Sequence, residues 1–437
     1  MMPEKTTSWA EERSQMRAAA TNAILHLHPT RVPAAALRFA YTWGLGGMSA
    51  TLATLLILTG VLLQFRYDAT IEGAYTSIQL LESQVQFGAL VRAVHHWSAN
   101  LLVVTVFLHL LRVFFTGGFK RDRATNWVIG LILLLTVLAF NFTGYLLPWD
   151  QLAYWAATVS TSLISYIPLV GTAVSNFILG GTEIGQNTLR NFYALHVAVL
   201  PVILIAILSY HFWRIRRDGG ISQPESVRQG GLRLTTIPHL VRREAAVAAA
   251  LIAGILIWSM AFPAPLGELA NPVLSPNPAK AAWYFLGLQE LLLHMHPLAA
   301  MSLVSIVLVG LVLLPRWDRH AGDIGVYFRS RRGRIAAIVG AVLGLQIVPI
   351  LVIVDEFWLD WAVLFPNQPA FVVDGLLPLA LTLLGLATIY GGLRRLLRAD
   401  HSEALVGLFT FVMVSLVMLT AVGVYFRGAN MVLLWPW

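Results

Sequence analysis

Two pairs of histidines define the chemistry open to this chain. His95 and His109 stand 14 residues apart in one apolar stretch, and His196 and His211 stand 15 apart in another. At about 100° per residue, 14 steps return to within roughly 40° of the starting direction, so His95 and His109 leave one helix face about 21 Å apart along the axis. In a hydrocarbon core about 30 Å thick, that places two imidazoles at two depths. Two such helices can clamp two flat iron cofactors, one above the other. Neutral imidazole is a common axial ligand of haem iron, and two per iron leave no open position, which suits electron transfer over oxygen chemistry. A lone intramembrane histidine often only packs or hydrogen-bonds, but four in matched pairs argue for ligands. His96 is the weaker partner for His109, because 13 residues turn the ring about a further 100° away.

The glycines repeat the interval. Gly46 and Gly60 are 14 residues apart in one neighbouring segment, and Gly130 and Gly144 are 14 apart in another. Glycine lets a helix backbone approach a neighbouring helix or a flat ring. Small-residue helix packing explains one such pair, and the shared interval favours contact with the cofactors. Arg92, Arg112 and Arg216 lie just beyond the histidines, where they can pair with haem propionates. Each taken alone is equally explained as a snorkelling interfacial arginine.

These side chains need long apolar helices to position them, and the composition supplies them. Of 437 residues, 57% are hydrophobic and 12% charged, which marks a polytopic membrane protein. There is no cysteine, so disulfides, thiolate metal sites, iron–sulfur ligation and thioether-linked haem within this chain are excluded. The net charge of +8 belongs to particular loops and gives no reason to expect nucleic acid.

Apolar runs of spanning length fall near 44–65, 92–114, 126–147, 191–213, 245–263, 297–315, 334–354, 374–393 and 404–426, predicting an all-α bundle of about nine transmembrane spans. The even-numbered loops hold the arginines, among them Arg121 and Arg123, Arg214 to Arg243 including Arg228, Arg316 to Arg334, and Arg394 to Arg398. The odd-numbered loops are poor in basic residues, and 355–374 is acidic. By the positive-inside rule the N-terminus is cytoplasmic and the C-terminus outside. Spans two and four then run the same way, bringing His95 to His196 near the outer face and His109 to His211 near the inner one. Residues 1–40 read as a cytoplasmic lead-in without the apolar core of a signal peptide. The expected divisions are 41–220, a four-helix dihaem core; 221–325, containing spans five and six; and 326–437, containing spans seven to nine.

Two outer loops are expected to wall a pocket beside the outer cofactor. The first, Pro148 to Arg190, is long and apolar and reads as short helices lying on the surface. The second is proline-rich and leads into Ala281-Ala282-Trp283-Tyr284, followed by Gln289, Glu290, His294 and His296.

The motifs Arg92-Ala-Val-His95, Leu-His109-Leu-Leu-Arg112, Thr-Gly-Gly-Phe-Lys120, Gly144-Tyr-Leu-Leu-Pro148-Trp149-Asp-Gln151 and Phe-Tyr-Ala-Leu-His196 resemble cytochrome b of the quinol:cytochrome c (or plastocyanin) oxidoreductases. The resemblance is specific over about 40–220. The 15-residue interval of span four is similar to the plastid-type branch, whose quinol-site half is a separate subunit and is here fused. Spans seven to nine match loosely. The resemblance implies two b haems (outer His95/His196, inner His109/His211), a Rieske iron–sulfur protein and c-type cytochromes as partners, and a homodimeric complex in a bacterial cytoplasmic membrane. It also implies quinol oxidation at the outer face, quinone reduction at the inner, and proton translocation. Pro148, Trp149, Trp283 and Tyr284 are the expected quinol-site residues. Gly44 stands where the plastid branch has the cysteine of an extra haem. Ala282 stands where the family has the glutamate proposed to accept a proton, and alanine cannot act as a base; Glu290 or His294 is the candidate substitute. Two rival readings are a dihaem quinone-reactive anchor of another redox complex with an altered outer site, and a haem-free proton-coupled transporter.

Overall fold

The computed structural model describes residues 28–224, 231–319 and 324–434. Most of the lead-in and Arg228 lie outside the described residues. Among those described, nine helices are long and apolar enough to cross a membrane: α1 Leu45–Gln64, α3 Gly88–Phe115, α4 Ala124–Leu146, α7 Gln186–Arg217, α8 Thr236–Ala261, α10 Pro297–Trp317, α11 Arg331–Phe357, α12 Phe371–Leu396 and α13 His401–Tyr425. Helices dominate because a backbone in hydrocarbon must satisfy its own hydrogen bonds. Shorter helices are α2 Ala74–Gln84, α5 Gln151–Ser165, α6 Gly171–Leu179 and α9 Trp283–His294. Helix α2 and a two-stranded ribbon pairing β1 (Arg31–Pro33) with β2 (Arg233–Thr235) antiparallel are additions to the expected architecture.

Several helix starts are written locally. Asp150 caps α5 by accepting from the Ala153 amide at 2.9 Å, and Ser330 caps α11 through Gly333 at 3.0 Å. Asp400 and Glu403 form a reciprocal capping box on α13, satisfying amides that the first turn leaves free.

Helices α1, α3, α4 and α7 form the core that carries the four histidines. The second half is bound together by α13, whose glycines admit its neighbours. Gly407 faces the Ala336 carbonyl of α11, and Gly423 faces Leu286 of α9, the small-residue contact typical of membrane helices. At the arginine-rich end, Lys120 is fully buried and pairs with Asp318 at 2.9 Å and Ser402 at 2.9 Å. This ties the core to α13.

Candidate haem centres and the outer pocket

At the arginine-poor end, the His95 and His196 ring centres are 6.3 Å apart. An imidazole nitrogen about 2 Å from a metal puts its ring centre about 3 Å away, so two axial imidazoles sit about 6 Å apart across one iron. The residues present therefore fit a bis-histidine haem. Each ring is held from behind by a threonine: His95 Nδ1 lies 2.9 Å from Thr59 Oγ1, and His196 Nδ1 lies 3.1 Å from Thr143 Oγ1. Both hydroxyls donate down their own helices, to Leu55 and Ala139 at 2.8 Å. The threonine oxygens are therefore acceptors, the proton sits on each Nδ1, and each Nε2 keeps a lone pair for a metal.

Each threonine precedes one of the spaced glycines. A Cβ on Gly60 would meet His95 Cε1 at 3.3 Å, and one on Gly144 would meet His196 Cε1 at 2.5 Å. At the opposite end, a Cβ on Gly46 would stand 3.3 Å from His109 Cε1 and one on Gly130 3.8 Å from His211 Cε1. Gly46, Gly60 and Gly144 are thus the clearance for the imidazoles themselves, while at Gly130 a Cβ would make ordinary contact. His211 Nδ1 and Arg112 Nη2 are buried without a hydrogen-bond partner; the arginine donor suits an anionic edge such as a propionate. Arg92 is committed elsewhere: it pairs with Glu82 and donates to the carbonyls of Ala264 at 3.0 Å and Pro265 at 2.6 Å. Arg216 lies in the last turn of α7. His96 accepts from Asn100 Nδ2 at 3.3 Å, and Asn100 also accepts from Trp283 Nε1 at 2.6 Å.

The unequal histidine intervals have a structural cause. Leu195–Val199, which contains His196, is a π-helical turn. Such a turn holds one more residue than an α turn, so 15 residues in α7 do the work of 14 in α3. Sequence spacing alone reads as a small rotation and hides this.

A cavity of about 390 Å³ lies between α4, α5, the 276–281 segment and α9. Phe142, Trp155, Phe285 and Leu288 line it. Its size and apolar wall suit an organic ligand with a ring. The residues expected to make this site stand around it, outside its lining. Trp149 is 4% exposed and lies in a segment clamped to residues 267–270. The Ala270 amide donates to the Trp149 carbonyl at 3.1 Å, the Gly267 amide to Asp150 at 3.1 Å, and the Gln151 amide to the Glu268 carbonyl at 2.8 Å. Trp283 is tied to Asn100, and Tyr284 packs against the α1–α3–α4 core. Gln289 is spent closing the loop, accepting from the Ala281 amide and donating to the Ala279 carbonyl, both at 2.7 Å.

Glu290 is 0% exposed and faces away into an ionic cluster. Arg427 donates to it from Nε at 3.0 Å and from Nη2 at 2.6 Å, and reaches Glu356 at 2.7 Å. His294 bridges Glu290 at 3.2 Å and Asp355 at 2.6 Å. Burial opposes the charge on Glu290, but hydrogen bonds from His294 and Arg427 overcome it and hold the carboxyl below its usual range. Burial likewise disfavours charged His294, yet its two carboxylate partners push it up to about 9. A paired carboxylate and a protonated imidazole are both poor bases at neutral pH. Sequence reasoning had no signal for Arg427, which lies 137 positions from Glu290.

Comparison with known proteins agrees with this geometry. The family Cytochrome b/b6/petB matches residues 32–219. The chain is 44% identical to cytochrome b6 of Heliomicrobium gestii over 180 residues, 41% of this chain and 84% of that one. It is 39% identical to cytochrome b6 of Tupiella akineta over 220 residues, 50% of this chain and 99% of that one. The chain belongs to the cytochrome b/b6 family. It is a haem-b membrane cytochrome of the quinol oxidoreductase type, with a further half fused to the cytochrome b6-like part. A solved structure titled "Hyperthermophilic respiratory Complex III" has a similar fold over 95% of this chain and 98% of that one, with a TM-score of 0.66 at 20% identity.

Proposed function

We propose that the chain is the dihaem cytochrome b subunit of a bacterial quinol:cytochrome c oxidoreductase, with His95 and His196 as ligands of an outer haem and His109 and His211 of an inner one. The bound haems supply one-electron transfer between the two faces of the membrane. The chain's own residues hold and tune them. Thr59 and Thr143 fix the outer tautomers, Gly46, Gly60, Gly130 and Gly144 leave the imidazoles room, and Arg112 and Arg216 balance negative charge at the inner edge. Quinol occupies the cavity beside α4, positioned by the framework that Trp149, Trp283 and Tyr284 make around it. A Rieske iron–sulfur protein and a c-type cytochrome take electrons on that side, and an inner quinone site accepts them on the other. Quinol protons are released outside and taken up inside. The complex is a homodimer in the cytoplasmic membrane, with the N-terminus cytoplasmic and the C-terminus outside.

The observation that carries this reading is the 6.3 Å separation of His95 and His196 with both Nδ1 atoms facing threonine. A second reading keeps the haems in a quinone-reactive anchor of another complex; Ala282 and the committed state of Glu290 favour it. The test is a redox-titrated visible spectrum of the purified protein with His95→Ala and His211→Ala. Two low-spin b components, a different one lost in each variant, are expected. A protein without haem absorption refutes both readings and leaves the transporter.

A further inference from the structure

The outer cavity contains one titratable side chain. Lys280 lies in its wall, in the segment immediately before Ala281-Ala282-Trp283-Tyr284. The remaining polar side chains there are Ser160, Trp155 and Gln289. Trp155 Nε1 donates to the Asn271 carbonyl at 3.2 Å, and both ends of the Gln289 amide are used within the loop. Lys280 has a hydrogen bond to the Val424 carbonyl at 3.0 Å. An ammonium carries three N–H donors, so this bond fixes the direction of the side chain and leaves two donors for a ligand. Burial lowers the Lys280 pKa, with the Glu290 carboxylate opposing that shift.

The choice of lysine is itself informative. The 30 basic residues include lysine only at positions 5, 120 and 280, and Lys120 is consumed in a buried ion pair. Arginine is used for every other cation, including the interfacial ones. Lysine differs in being a compact charge on a flexible stem whose donors rotate. Such a group follows a single ring oxygen, whereas a planar guanidinium is best matched to the two oxygens of a carboxylate or phosphate.

We propose that Lys280 binds the quinol head by donating a hydrogen bond to one ring oxygen, anchoring the ring at the cavity wall that carries no acidic side chain. The ligand class is a benzo- or naphthoquinol with its quinone, the apolar rest of the cavity taking the ring face. This rests on the proposed quinol function, so the test separates the two. Outer-haem reduction by decylquinol is followed in the intact complex for wild type, Lys280→Met and Lys280→Arg, with haem content and dithionite-reduced spectra as controls. A charge-assisted hydrogen bond is worth about one to two orders of magnitude in affinity. Lys280→Met is therefore expected to raise the half-saturating decylquinol concentration about tenfold to a hundredfold at full haem content, with Lys280→Arg recovering part of the loss. Unchanged saturation in Lys280→Met, with the wild type active, overturns the lysine and leaves the quinol function standing. A wild type that dithionite reduces and decylquinol does not overturns both.

A second measurement needs no variant. Amine acylation of the wild-type complex, read by mass spectrometry at Lys280, is run with and without decylquinone. Protection at Lys280 supports the proposal. Equal labelling at saturating decylquinone overturns it.

Discussion

Replacing each of the four spaced glycines by alanine gives a series ordered by how closely each helix backbone approaches its histidine. The added Cβ would stand 2.5 Å from His196 Cε1 in Gly144→Ala, 3.3 Å from a histidine Cε1 in Gly46→Ala and Gly60→Ala, and 3.8 Å in Gly130→Ala. Carbon atoms are comfortable at about 3.5–4.0 Å, so Gly144→Ala forces the His196 ring back by about 1 Å. The same carbon would lie 3.1 Å from His196 Nδ1, so the ring cannot escape by tilting toward Thr143. A retreat of about 1 Å is half of an imidazole–metal bond of about 2 Å, and overpacking of this kind costs about 1–3 kcal/mol. Gly144→Ala should lose or strongly perturb the outer haem. Gly46→Ala and Gly60→Ala should shift one midpoint potential each, inner and outer respectively. Gly130→Ala should remain close to wild type. Pyridine haemochrome content and redox-titrated spectra read all four. A Gly130→Ala protein that loses haem while Gly144→Ala keeps both would refute the assignment of these glycines to imidazole clearance.

Two further perturbations bear on other parts of the molecule. Deleting Ala198 from the π turn should convert it to an α turn and leave both haems in place. Deleting Val104 from α3, which has no such turn to give up, should rotate His95 against His109 by about 100° and remove one component from the spectrum; equal loss in both deletions would exclude the register role of the turn. The ionic cluster predicts a pH dependence of stability. His294 is raised from an ordinary 6.5 to about 9, so the stability it contributes is fully present below about pH 6.5 and is lost as pH rises through 9. Asp355 and Glu290 face it directly and Arg427 joins them, with Glu356 beyond. Thermal melting of the detergent-solubilised protein should fall across that window, and His294→Gln should flatten the fall. A wild-type curve level from pH 6 to 10 would contradict the arrangement.

What could be read in advance was whatever repeats along one helix or is spelled within one loop. The nine spans and the short helices after Pro148 follow from periodicity and composition, because hydropathy acts locally. The partners of Thr59 and Thr143 were within reach of the same reasoning, since each hydroxyl sits one residue before a spaced glycine. The π turn was not, because its only trace is one surplus residue between His196 and His211. Arg427 and Lys280 were hidden for another reason. Their meaning depends on which helices meet in space, and α13 meets α9 across more than a hundred residues of intervening chain.

That last contact has a bearing on how the protein is made. Helices inserted in order from the N-terminal side complete the four-histidine core once α7 has entered the membrane. The pocket wall at α9 is synthesised well before the Val424 carbonyl that orients Lys280 and the Arg427 guanidinium that neutralises Glu290. Until α13 arrives, the buried-type carboxylate of α9 lacks its guanidinium partner and has His294, one turn on, beside it. Biogenesis therefore divides in time: a cytochrome able to accept its prosthetic groups early, and a substrate chamber that matures only with the ninth span.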